Sequence, residues 1–524
     1  MTKNNMSPER KFILPFIGAL LLIVGLFLGY NLQPKIDTKR ASKFEEVLRA
    51  LEEKYVDSVN KDQLFNDAVN EMLHKLDPHS RYISKKDLLK EQQEMQGSFG
   101  GIGVRFQLIN DTICVISAMS NGPAYKAGLR SGDQIIYIEG KAFTGKKITN
   151  DMVLNALRGE VDTYVNVTAL SKGAQRKVRI QRGEIAVKSV PSYFMMDAKT
   201  GYIRISQFSL PTHEEFINAS DVLLKQGMKA MVLDLRGNPG GVMDAAVAIA
   251  DEFLPKGDVI VSVKGKSIKS STEYAQGGGK FEQIPLVVLI DESSASAAEI
   301  LAGAIQDNDR GQLVGRRTFG KGLVQQDQIL RDGSSVRMTI SRYYTPSGRS
   351  IQRAYSGNYE QYIMDEQRFR MGELFHLDSI PVDKSKAFKT KKGRVVYGGG
   401  GIVPDVFVPL DTSGNSLLTS MLFSNQLFSE FAFKYLQQDN RNKWTAPKSL
   451  ARYNFTIKEW RYFETMVENK LNLKGIGLLL DQEKNNVAIF LKEELARQLW
   501  QESMEIRYCL GKDNEIREAK ILLR

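Results

Sequence analysis

The sequence predicts an α/β protein of several domains, and three observations lead to this class. Its 524 residues exceed what one compact core usually holds, since roughly 150 residues per domain is typical. Apolar residues make up 42% and charged residues 25% of the chain, as in folded soluble domains. After residue 183, short apolar runs typical of buried strands alternate with segments of helical periodicity. This alternation predicts helices layered against a sheet.

Composition argues against several function classes. The net charge of +11 arises from 72 basic and 61 acidic residues that are interleaved. The sequence has no basic stripe with aromatic residues between, so it does not indicate nucleic-acid binding. Cys114 and Cys509 lie far apart with no metal-ligand spacing around either, so we expect neither a disulfide nor a zinc site. With only four histidines, acid-base chemistry must depend mostly on Lys, Asp or Glu. We expect no metal and no cofactor.

The N-terminus differs in kind from the rest. A short tail, residues 1–11, precedes an uncharged stretch at 12–30, "FILPFIGALLLIVGLFLGY", which approaches the roughly 20 residues that span a bilayer. Arg10 and Lys11 precede this stretch and no A-x-A-like cleavage site comes after it, so we expect an uncleaved signal-anchor helix. The predicted location is the bacterial inner membrane, with the rest of the chain in the periplasm or extracytoplasmic space. Basic residues after the span leave the orientation open.

Residues 41–95 are predicted to form an N-terminal helical region. Its apolar residues recur at helical spacing in two groups: Phe44, Val47, Leu48, Leu51 and Tyr55, then Leu64, Phe65, Val69, Met72, Leu73 and Leu76. The pattern breaks at Pro78, and His79 is predicted to be a turn residue rather than a catalytic one.

Residues 97–182 change to short strands and glycines, and "AGLRSGDQIIYIEG" resembles the signature of PDZ domains. The resemblance implies a loop whose backbone N–H groups bind a peptide's terminal carboxylate while the peptide adds as an extra strand. It places this loop at Gly101, Ile102, Gly103 and Val104. Arg158 ends the helix bordering the peptide groove, which suggests a role in coupling the domain to activity; a solvated surface arginine is the alternative.

Residues 183–410 carry the predicted α/β core. The strand "KAMVLDLR" stops at "GNPGG", and the strand "PLVVLID" runs into "ESSASAAEI". Polar residues thus occupy the carboxyl ends of strands, where open α/β sheets place their ligands. A third stretch, "GRRTFGKG" at 315–322, differs from the phosphate-binding loop pattern at one residue, Gly322, where the pattern has Ser or Thr. The next residues, 323–344, are predicted to form a strand, a turn and a strand rather than the helix that such a loop requires.

A serine cluster and a lysine therefore remain as candidate reactive groups. Ser293, Ser294 and Ser296 lie at a strand-to-helix junction, where a hydroxyl is lifted off the sheet beside helix N–H groups. A nucleophilic serine needs a base, and Lys321 can serve if burial lowers its pKa towards neutrality.

The motifs "DLRGNPGG", "SSASAAEI" and "RTFGKGLVQ", in this order behind a PDZ-like segment, resemble the carboxy-terminal processing peptidase family, also called tail-specific proteases. The match runs from about residue 41 to about 409. It implies a crotonase-like α/β peptidase core and a serine endopeptidase whose PDZ domain engages the C-terminal tail of protein substrates. By the family pattern, Ser296 is the nucleophile, Lys321 the general base and Gln325 the residue that orients the lysine.

A serine peptidase also needs donors for the oxyanion. We expect these to be the N–H of Ala297 and that of either Gly240 or Gly241, since glycine lets the backbone approach closely. Three residues of the same loop are predicted to brace it rather than react: Asp234, Arg236 and Asn238. Glu299, one helical turn after Ser296, is expected to lie outside direct contact with the substrate.

Two regions lie outside this interpretation: the insertion at 355–394 and the segment 411–524. The latter is predicted to be mostly helical, and an interaction or homodimerisation role for it is a hypothesis. Two other functions remain open. A non-catalytic membrane-anchored PDZ adaptor would have no reason to keep Ser296, Lys321 and Gln325 together, and a crotonase-like acyl-transfer enzyme would not need the PDZ segment and would act on thioesters.

Overall fold

The computed structural model describes residues 19–25, 38–364, 366–438, 440–500 and 504–524. They belong to two compact units, Met1–Leu73 and His74–Arg524.

The first unit contains helices α1 (19–25), α2 (Thr38–Lys54) and α3 (Lys61–His74). Phe44 on α2 meets Phe65 on α3 edge to face, with ring centroids 6.2 Å apart. The two helices therefore contact each other through the apolar faces that the sequence pattern predicted.

The predicted membrane span, 12–30, lies outside the described residues except for 19–25, which are helical with exposed side chains. Within the described part of the chain, no helix has the length and apolar character that crossing a bilayer requires. The signal-anchor therefore stays a prediction.

The second unit begins with strand β1 (Arg81–Ile83) and helix α4 (Lys85–Gln96). Ser84 caps α4 by accepting a hydrogen bond from the Asp87 N–H, and Gly97 ends it in the left-handed conformation. β1 pairs antiparallel with a strand of the core, so the chain passes through the core before it enters the PDZ domain.

The PDZ domain is a five-stranded antiparallel sheet, with one short extra strand, and two helices. In sheet order it runs β3-β4-β5-β7-β8, with β6 paired to β5, while β2 and β9 pair separately at its base. Its elements are β2 (Ser98–Gly101), β3 (Val104–Ile109), β4 (Thr112–Ala118), α5 (Pro123–Lys126), β5 (Gln134–Ile138), β6 (Lys141–Ala142), α6 (Asn150–Leu157), β7 (Tyr164–Ser171), β8 (Ala174–Gln181) and β9 (Gly183–Ala186). β3 is an edge strand, which leaves its outer side available for an added strand.

The core is a six-stranded sheet of order β10-β11-β12-β15-β16-β21, parallel except for β10. Its elements are β10 (Ser192–Met195), β11 (Thr200–Arg204), α7 (Thr212–Lys225), β12 (Ala230–Asp234), α8 (Met243–Asp251), β15 (Leu286–Ile290), α9 (Ala297–Asp307), β16 (Gln312–Gly315) and β21 (Val406–Phe407). Alternate residues of β12 and β15 enter two different hydrophobic clusters. Because both faces are covered, these strands are continuous apolar runs.

A second sheet joins β13 (Val259–Gly265), β14 (Ser271–Tyr274), β17 (Leu323–Ile329) and β18 (Ser335–Tyr344) with β1. β17 and β18 form an antiparallel pair across the turn at 332–333. The prediction of a strand, not a helix, after Lys321 is therefore confirmed, and the phosphate-loop interpretation has no helix to support it.

The insertion adds small elements next to the core: α10 (Tyr359–Met364), α11 (Glu366–Arg370), two 3-10 turns (Leu377–Ser379 and Lys384–Lys386), β19 (Ala387–Lys389) and β20 (Val395–Tyr397). The C-terminal region contains helices α12 (Leu417–Ser424), α13 (Leu427–Gln437), α14 (Pro447–Ala451), α15 (Ile457–Leu471), α16 (Gly477–Gln482), α17 (Lys484–Trp500), α18 (Met504–Cys509) and α19 (Asn514–Leu522), together with a 3-10 turn at Asn440–Asn442.

These C-terminal helices contact both the PDZ domain and the core. On β3 of the PDZ domain, the amide of Gln107 lies 3.1 Å from Glu494 and 3.2 Å from Gln498, both on α17. On the core, the Tyr508 hydroxyl of α18 donates to the Met196 carbonyl at 2.5 Å. The C-terminal region thus connects the two domains.

Candidate active site

Three turns at the carboxyl ends of β12, β15 and β16 meet at one place. The Ala295 N–H donates to the Asn238 carbonyl at 2.9 Å, and the Phe319 N–H donates to the Ser294 carbonyl at 2.9 Å. Parallel neighbouring strands end at the same edge of the sheet, which is why these distant sequence segments converge.

Ser296 occupies the N-cap of α9 in a strained backbone conformation, with φ of 54° and ψ of −113°. A non-glycine residue held there costs on the order of 1–3 kcal/mol and needs support from its surroundings. Its side chain is half-buried, and its hydroxyl makes no side-chain cap hydrogen bond among the described residues. The hydroxyl is therefore available to a ligand.

Glu299 provides much of that support. Its buried carboxylate accepts four hydrogen bonds, from the N–H groups of Ser296 (2.9 Å), Lys321 (2.8 Å) and Gly320 (2.8 Å) and from the Thr318 hydroxyl (2.5 Å). Burial raises the pKa of this carboxyl, and the hydrogen bonds oppose that shift. One side chain thereby fixes the backbone of Ser296 relative to that of Lys321.

Tyr343 on β18 connects the same two residues from the other side. Its hydroxyl is shared between the carbonyl of Lys321, at 2.7 Å, and the carbonyl of Ser296, at 3.1 Å. Burial, together with the nearby charge of Glu299, raises the pKa of Tyr343 well above its usual value, so the hydroxyl keeps its proton and stays a donor.

The Lys321 amine lies against Gln325 rather than against a carboxylate. Its Nζ donates to Gln325 Oε1 at 3.1 Å, and Gln325 Nε2 donates to the His79 carbonyl at 2.7 Å. The His79 carbonyl therefore decides which end of the amide faces the lysine. No hydrogen bond joins Nζ to the Ser296 hydroxyl within the described residues.

The pKa of Lys321 is lowered from 10.5 to about 8. Burial is the main cause because it disfavours the charged amine, and the positive charges of Arg337 and Arg81 add to it; Glu299 and Asp77 oppose the shift. At neutral pH, about a tenth of this amine is therefore unprotonated, far more than for an unperturbed lysine.

His79 lies beside the amine, but its ring is neutral. Burial, together with the charge of Lys321, lowers the pKa of His79 to about 3. Its Nε2 lies 3.1 Å from the Tyr362 hydroxyl, which belongs to the insertion. The predicted role as a turn residue agrees with its backbone, whose N–H donates to Asp77 at 2.8 Å, but the prediction missed its contact with Gln325.

The glycines predicted as oxyanion donors differ in their hydrogen bonding. The Gly240 N–H donates to the Asn238 side chain at 2.8 Å, whereas the N–H groups of Gly241 and Ala297 have no acceptor among the described residues. A Cβ added to Gly240 would lie 2.8 Å from the Ser296 Cβ and 2.9 Å from the Ala297 nitrogen. The glycine is required there because its turn packs directly on the Ser296 turn.

Buried charges hold the glycine-rich turn, as the sequence suggested for Asp234, Arg236 and Asn238. Arg236 pairs with Asp234 at 2.6 Å and with Asp513 at 2.9 Å. Burial would raise the pKa of Asp234, but Arg236 keeps that pKa below its usual value. Arg316, just after β16, pairs in turn with Glu515 at 2.6 Å. Residues of the C-terminal region therefore reach two of the three turns.

A cavity of about 900 Å³ opens at Lys321 and next to Ser296: Lys321 and Ala295 line it, whereas Ser296 itself does not. One wall comes from the turns and the other from the insertion, and the lining residues are His79, Pro239, Glu292, Ser293, Ala295, Phe319, Lys321, Ile363, Met364, Arg368, Phe369, Arg370 and Leu374. Its volume is within the range of ligand sites. The insertion therefore forms part of this site, which the sequence did not indicate.

The four predicted carboxylate-loop residues lie together in the PDZ domain and contribute nothing to the lining of that cavity. The N–H groups of Ile102 and Gly103 have no acceptor among the described residues, while their carbonyls accept from Ala124 and Met119 at 2.8 Å each. The loop therefore has the donors that a terminal carboxylate requires.

Arg158 is half-buried at the end of α6, not a solvated surface group. Its guanidinium lies 4.1 Å from the ring centroid of Phe99, on the strand that leads into the carboxylate loop. Within the described part of the chain its buried Nε has no partner. Its place between helix and loop fits either a structural or a coupling role.

Sequence reasoning missed Glu299, Thr318 and Tyr343 as parts of this site. A capping pattern, serine and then glutamate three residues later, was present in "SASAAE" and would have predicted the bond from the Ser296 N–H. The glycines beside Lys321 lie close to other segments: a Cβ on Gly320 would approach Gly401, and one on Gly322 would approach Gln352. They make room for neighbouring backbone rather than for the amine.

Comparison with known proteins shows the family of the chain. Models of three families match the chain: peptidase family S41 at residues 199–357, the PDZ domain at 100–181 and the N-terminal domain of the activating protease CtpB at 30–87. A carboxy-terminal-processing protease of Bartonella bacilliformis is 34% identical over 344 residues, which are 64% of this chain and 78% of the relative. The chain belongs to the carboxy-terminal processing peptidases of family S41.

Two further relatives describe the extent of the likeness. A probable CtpA-like serine protease of Staphylococcus aureus is 34% identical over 65% of this chain and 70% of its own length. The solved photosystem II D1 C-terminal processing protease is 28% identical and covers 70% of this chain and 92% of that one, with a TM-score of 0.36. Membership in this family makes the chain a serine-type peptidase that carries a PDZ domain.

Proposed function

We propose that this peptidase hydrolyses peptide bonds with Ser296 as nucleophile and Lys321 as general base. The observation that carries the proposal is the double link through Glu299 and Tyr343, which holds the two residues next to each other. A lysine with its pKa lowered to about 8 can accept the serine proton.

In the proposed reaction, Lys321 Nζ moves from Gln325 to the Ser296 hydroxyl and takes its proton as the oxygen attacks the substrate carbonyl. The N–H groups of Gly241 and Ala297 stabilise the oxyanion. Gly240 lets the turn that carries Gly241 pack directly on the turn that carries Ser296 and Ala297. Lys321 then gives its proton to the leaving amine, which leaves an ester on Ser296. A water molecule, deprotonated by the same amine, hydrolyses the ester and releases the new C-terminus.

The proposal is tested by cleavage of an unstructured protein with the wild type and with Ser296→Ala and Lys321→Ala. Both variants should lose at least about a thousandfold in rate, since residues of a nucleophile-base pair act as one unit. Ser413→Ala is the control, because Ser413 is an exposed serine outside the cavity, and it should remain active. Cleavage by both site variants at the wild-type rate would refute the assignment, and a wild type that binds peptides but cleaves none would favour the adaptor.

We further propose that the PDZ domain recruits substrates by their C-termini, through the N–H groups of the loop from Gly101 to Val104. A peptide with a free C-terminal carboxylate should bind the Ser296→Ala variant more tightly than the same peptide with a C-terminal amide. Equal binding of the two would contradict this role.

The signal-anchor predicted at 12–30 motivates a further proposal, a chain held in the inner membrane with its peptidase part in the periplasm. Cell fractionation should place the protein with membranes, and an externally added protease should digest it in spheroplasts. Recovery in the soluble fraction would contradict the membrane anchor. Protection from the protease would contradict the periplasmic orientation. A homodimer through the C-terminal helices stays a hypothesis that light scattering would test.

A further inference from the structure

A second cavity, which we call the basic cleft, lies on the sheet formed by β13, β17 and β18. Its volume is about 820 Å³. Five of its lining side chains are cationic, Lys264, Lys266, Arg342, Arg353 and Lys386, and one is acidic, Asp77. The cleft shares no lining residue with the 900 Å³ cavity beside Ser296.

Three of these cations have no counter-charge. The side chains of Lys264, Lys266 and Arg342 make no ion pair and no hydrogen bond with any described residue; the Lys264 side chain has one aromatic contact, with Nζ 5.1 Å from the ring centroid of Tyr344. The one acidic group, Asp77, forms an ion pair with none of these three cations, and its charge is one against five. The Asp77 carboxylate accepts from the N–H of His79, at 2.8 Å, and from the Ser80 hydroxyl, at 2.6 Å.

The strand register brings two of these cations together, which destabilises the fold unless an anion is bound. Lys264 and Arg342 stand directly opposite each other on β13 and β18, so their side chains leave the same face of the sheet. A like-charge pair at such a position is destabilising, by up to about 1 kcal/mol. Anionic oxygens in the cleft would provide the counter-charge that both of these side chains lack.

The same register places the cleft near the candidate catalytic lysine. Arg342 pairs with Leu323 on its other side, and Leu323 comes two positions after Lys321. Since neighbouring strands lie about 4.8 Å apart, the Arg342 backbone lies on the order of 10 Å from the Lys321 backbone. A polypeptide that reaches Ser296 can therefore continue into the cleft over a few residues.

We propose that the basic cleft binds an acidic segment of the polypeptide substrate and so contributes to substrate selection. This inference rests on the proposed peptidase function for its meaning, but the binding itself does not need catalysis. The site is concave, with a volume in the range that encloses a ligand, which fits a segment with carboxylate side chains. Tyr344, Tyr355 and Phe388 supply apolar surface between the charges.

The test uses the full chain with Ser296→Ala, so that no substrate is consumed. The probe is a fluorescent peptide that contains several glutamates and ends in an amide, which removes the carboxylate that the PDZ domain would bind. Its affinity is compared with that of the same peptide with glutamine in place of glutamate. We expect the acidic peptide to bind at least about tenfold more tightly at low salt and to lose this advantage as salt rises.

Lys264→Glu is the decisive variant, because binding and stability should move in opposite directions. It converts a like-charge pair into an opposite-charge pair with Arg342, so the melting temperature should stay equal or rise, while the acidic peptide should lose most of its advantage. A residue with a purely structural role would show the reverse. Lys264→Glu with Arg342→Glu should abolish the preference.

The matched control is Lys225→Glu with Lys229→Glu, two exposed lysines at the end of α7 and just after it, which should leave the preference unchanged. Equal affinity for the two peptides, or equal loss in the control, would overturn the proposal. So would displacement of the acidic peptide by inorganic phosphate at micromolar concentration, since that would indicate a site for small anions. Absence of cleavage by the wild type would refute the proposed function and leave the binding result standing.

Discussion

Gly241 and Gly103 each belong to a turn, and the N–H group of each has no acceptor among the described residues. The two turns are held in place by different means. The Gly241 turn is fixed by buried polar groups, since Asn238 bonds the preceding N–H and Arg236 pairs with Asp234 and Asp513. The Gly103 turn is held by two backbone hydrogen bonds and by apolar neighbours.

The difference arises from the ligand that each turn would bind. An oxyanion exists only while the bond is being broken, so its donors must already be in position. A peptide carboxylate is present throughout binding, and a loop can adjust to it at little cost. We therefore expect damage to the first turn to appear in kcat and damage to the second in KM.

The largest effect is expected for Gly241→Ala. A Cβ at Gly241, whose φ is 135°, would lie 1.9 Å from the Phe208 carbonyl oxygen, so the turn must move and kcat should fall by at least about a hundredfold. Gly103→Ala places a Cβ 3.1 Å from the end of the Ile185 side chain, and KM should rise less than about tenfold. Steady-state kinetics on both variants tests the contrast, and a larger kcat loss for Gly103→Ala would reverse it.

Glu299→Gln should have the next largest effect. The amide would bring an NH2 group towards backbone N–H donors that need an acceptor, and a buried unsatisfied donor costs about 1–3 kcal/mol. We expect kcat to fall by about ten- to a hundredfold with KM little changed. Glu430→Gln, at a buried glutamate paired with Lys434 in the C-terminal region, should lower the melting temperature and leave kcat unchanged. Similar kcat losses in both would mean that Glu299 acts through stability alone.

The pH profile distinguishes the base from its neighbours. Since the neutral amine is the active form, kcat/KM should rise with pH through an apparent pKa of about 8, falling about tenfold per unit below about pH 7. His79 cannot produce this limb because its pKa is about 3. Arg81→Gln removes a charge that lowers the pKa of Lys321, so the limb should move to higher pH. A profile flat from about pH 6 to about pH 10 would exclude Lys321 as the base.

A smaller effect is expected at the ion pairs from the C-terminal region. Asp513→Asn weakens the support of Arg236 and should cost about 1–3 kcal/mol of unfolding free energy, the range for hydrogen bonds to charged groups, with a severalfold loss in kcat. Asp481→Asn, at an exposed aspartate whose side chain is 75% accessible, is the control and should change neither. Chemical denaturation and kinetics measure the two quantities.

The smallest effect is expected for Arg158→Lys. Lysine keeps the charge but loses the planar contact with Phe99, a contact worth about 0.5–1 kcal/mol. KM for a substrate with a free C-terminus should rise about two- to fivefold and kcat should not change. A fall in kcat would instead favour coupling between the PDZ domain and the peptidase core.

Sequence patterns were informative where they reflect local geometry. The period-2 segments after Lys321 predicted β17 and β18, and glycines next to strand ends predicted turns, because these depend on neighbours within a few residues. The family resemblance predicted Ser296 and Lys321 as the reactive pair, and that assignment stays a prediction. Tyr343, which bonds to both, lies 22 positions after Lys321 and 47 after Ser296, and no local pattern encodes contacts over such separations.

The insertion and the C-terminal region show the same limit more strongly. Residues 355–394 have no recognisable period, yet Ile363, Phe369 and Leu374 line the cavity beside Ser296. Asp513 lies 277 positions after Arg236, so its role could not be read from the helical periodicity around it. The periodicity predicted a helix there and said nothing about its partner.

That separation of 277 positions also has a consequence during synthesis. A ribosome adds about 5–20 residues per second, so Arg236 emerges on the order of tens of seconds before Asp513 exists. Throughout that interval the glycine-rich turn of a nascent chain lacks the partner that Asp513 provides. The glycine-rich turn would thus gain this ion pair only once Asp513 has been synthesised, and a shorter nascent chain would carry the turn with weaker support.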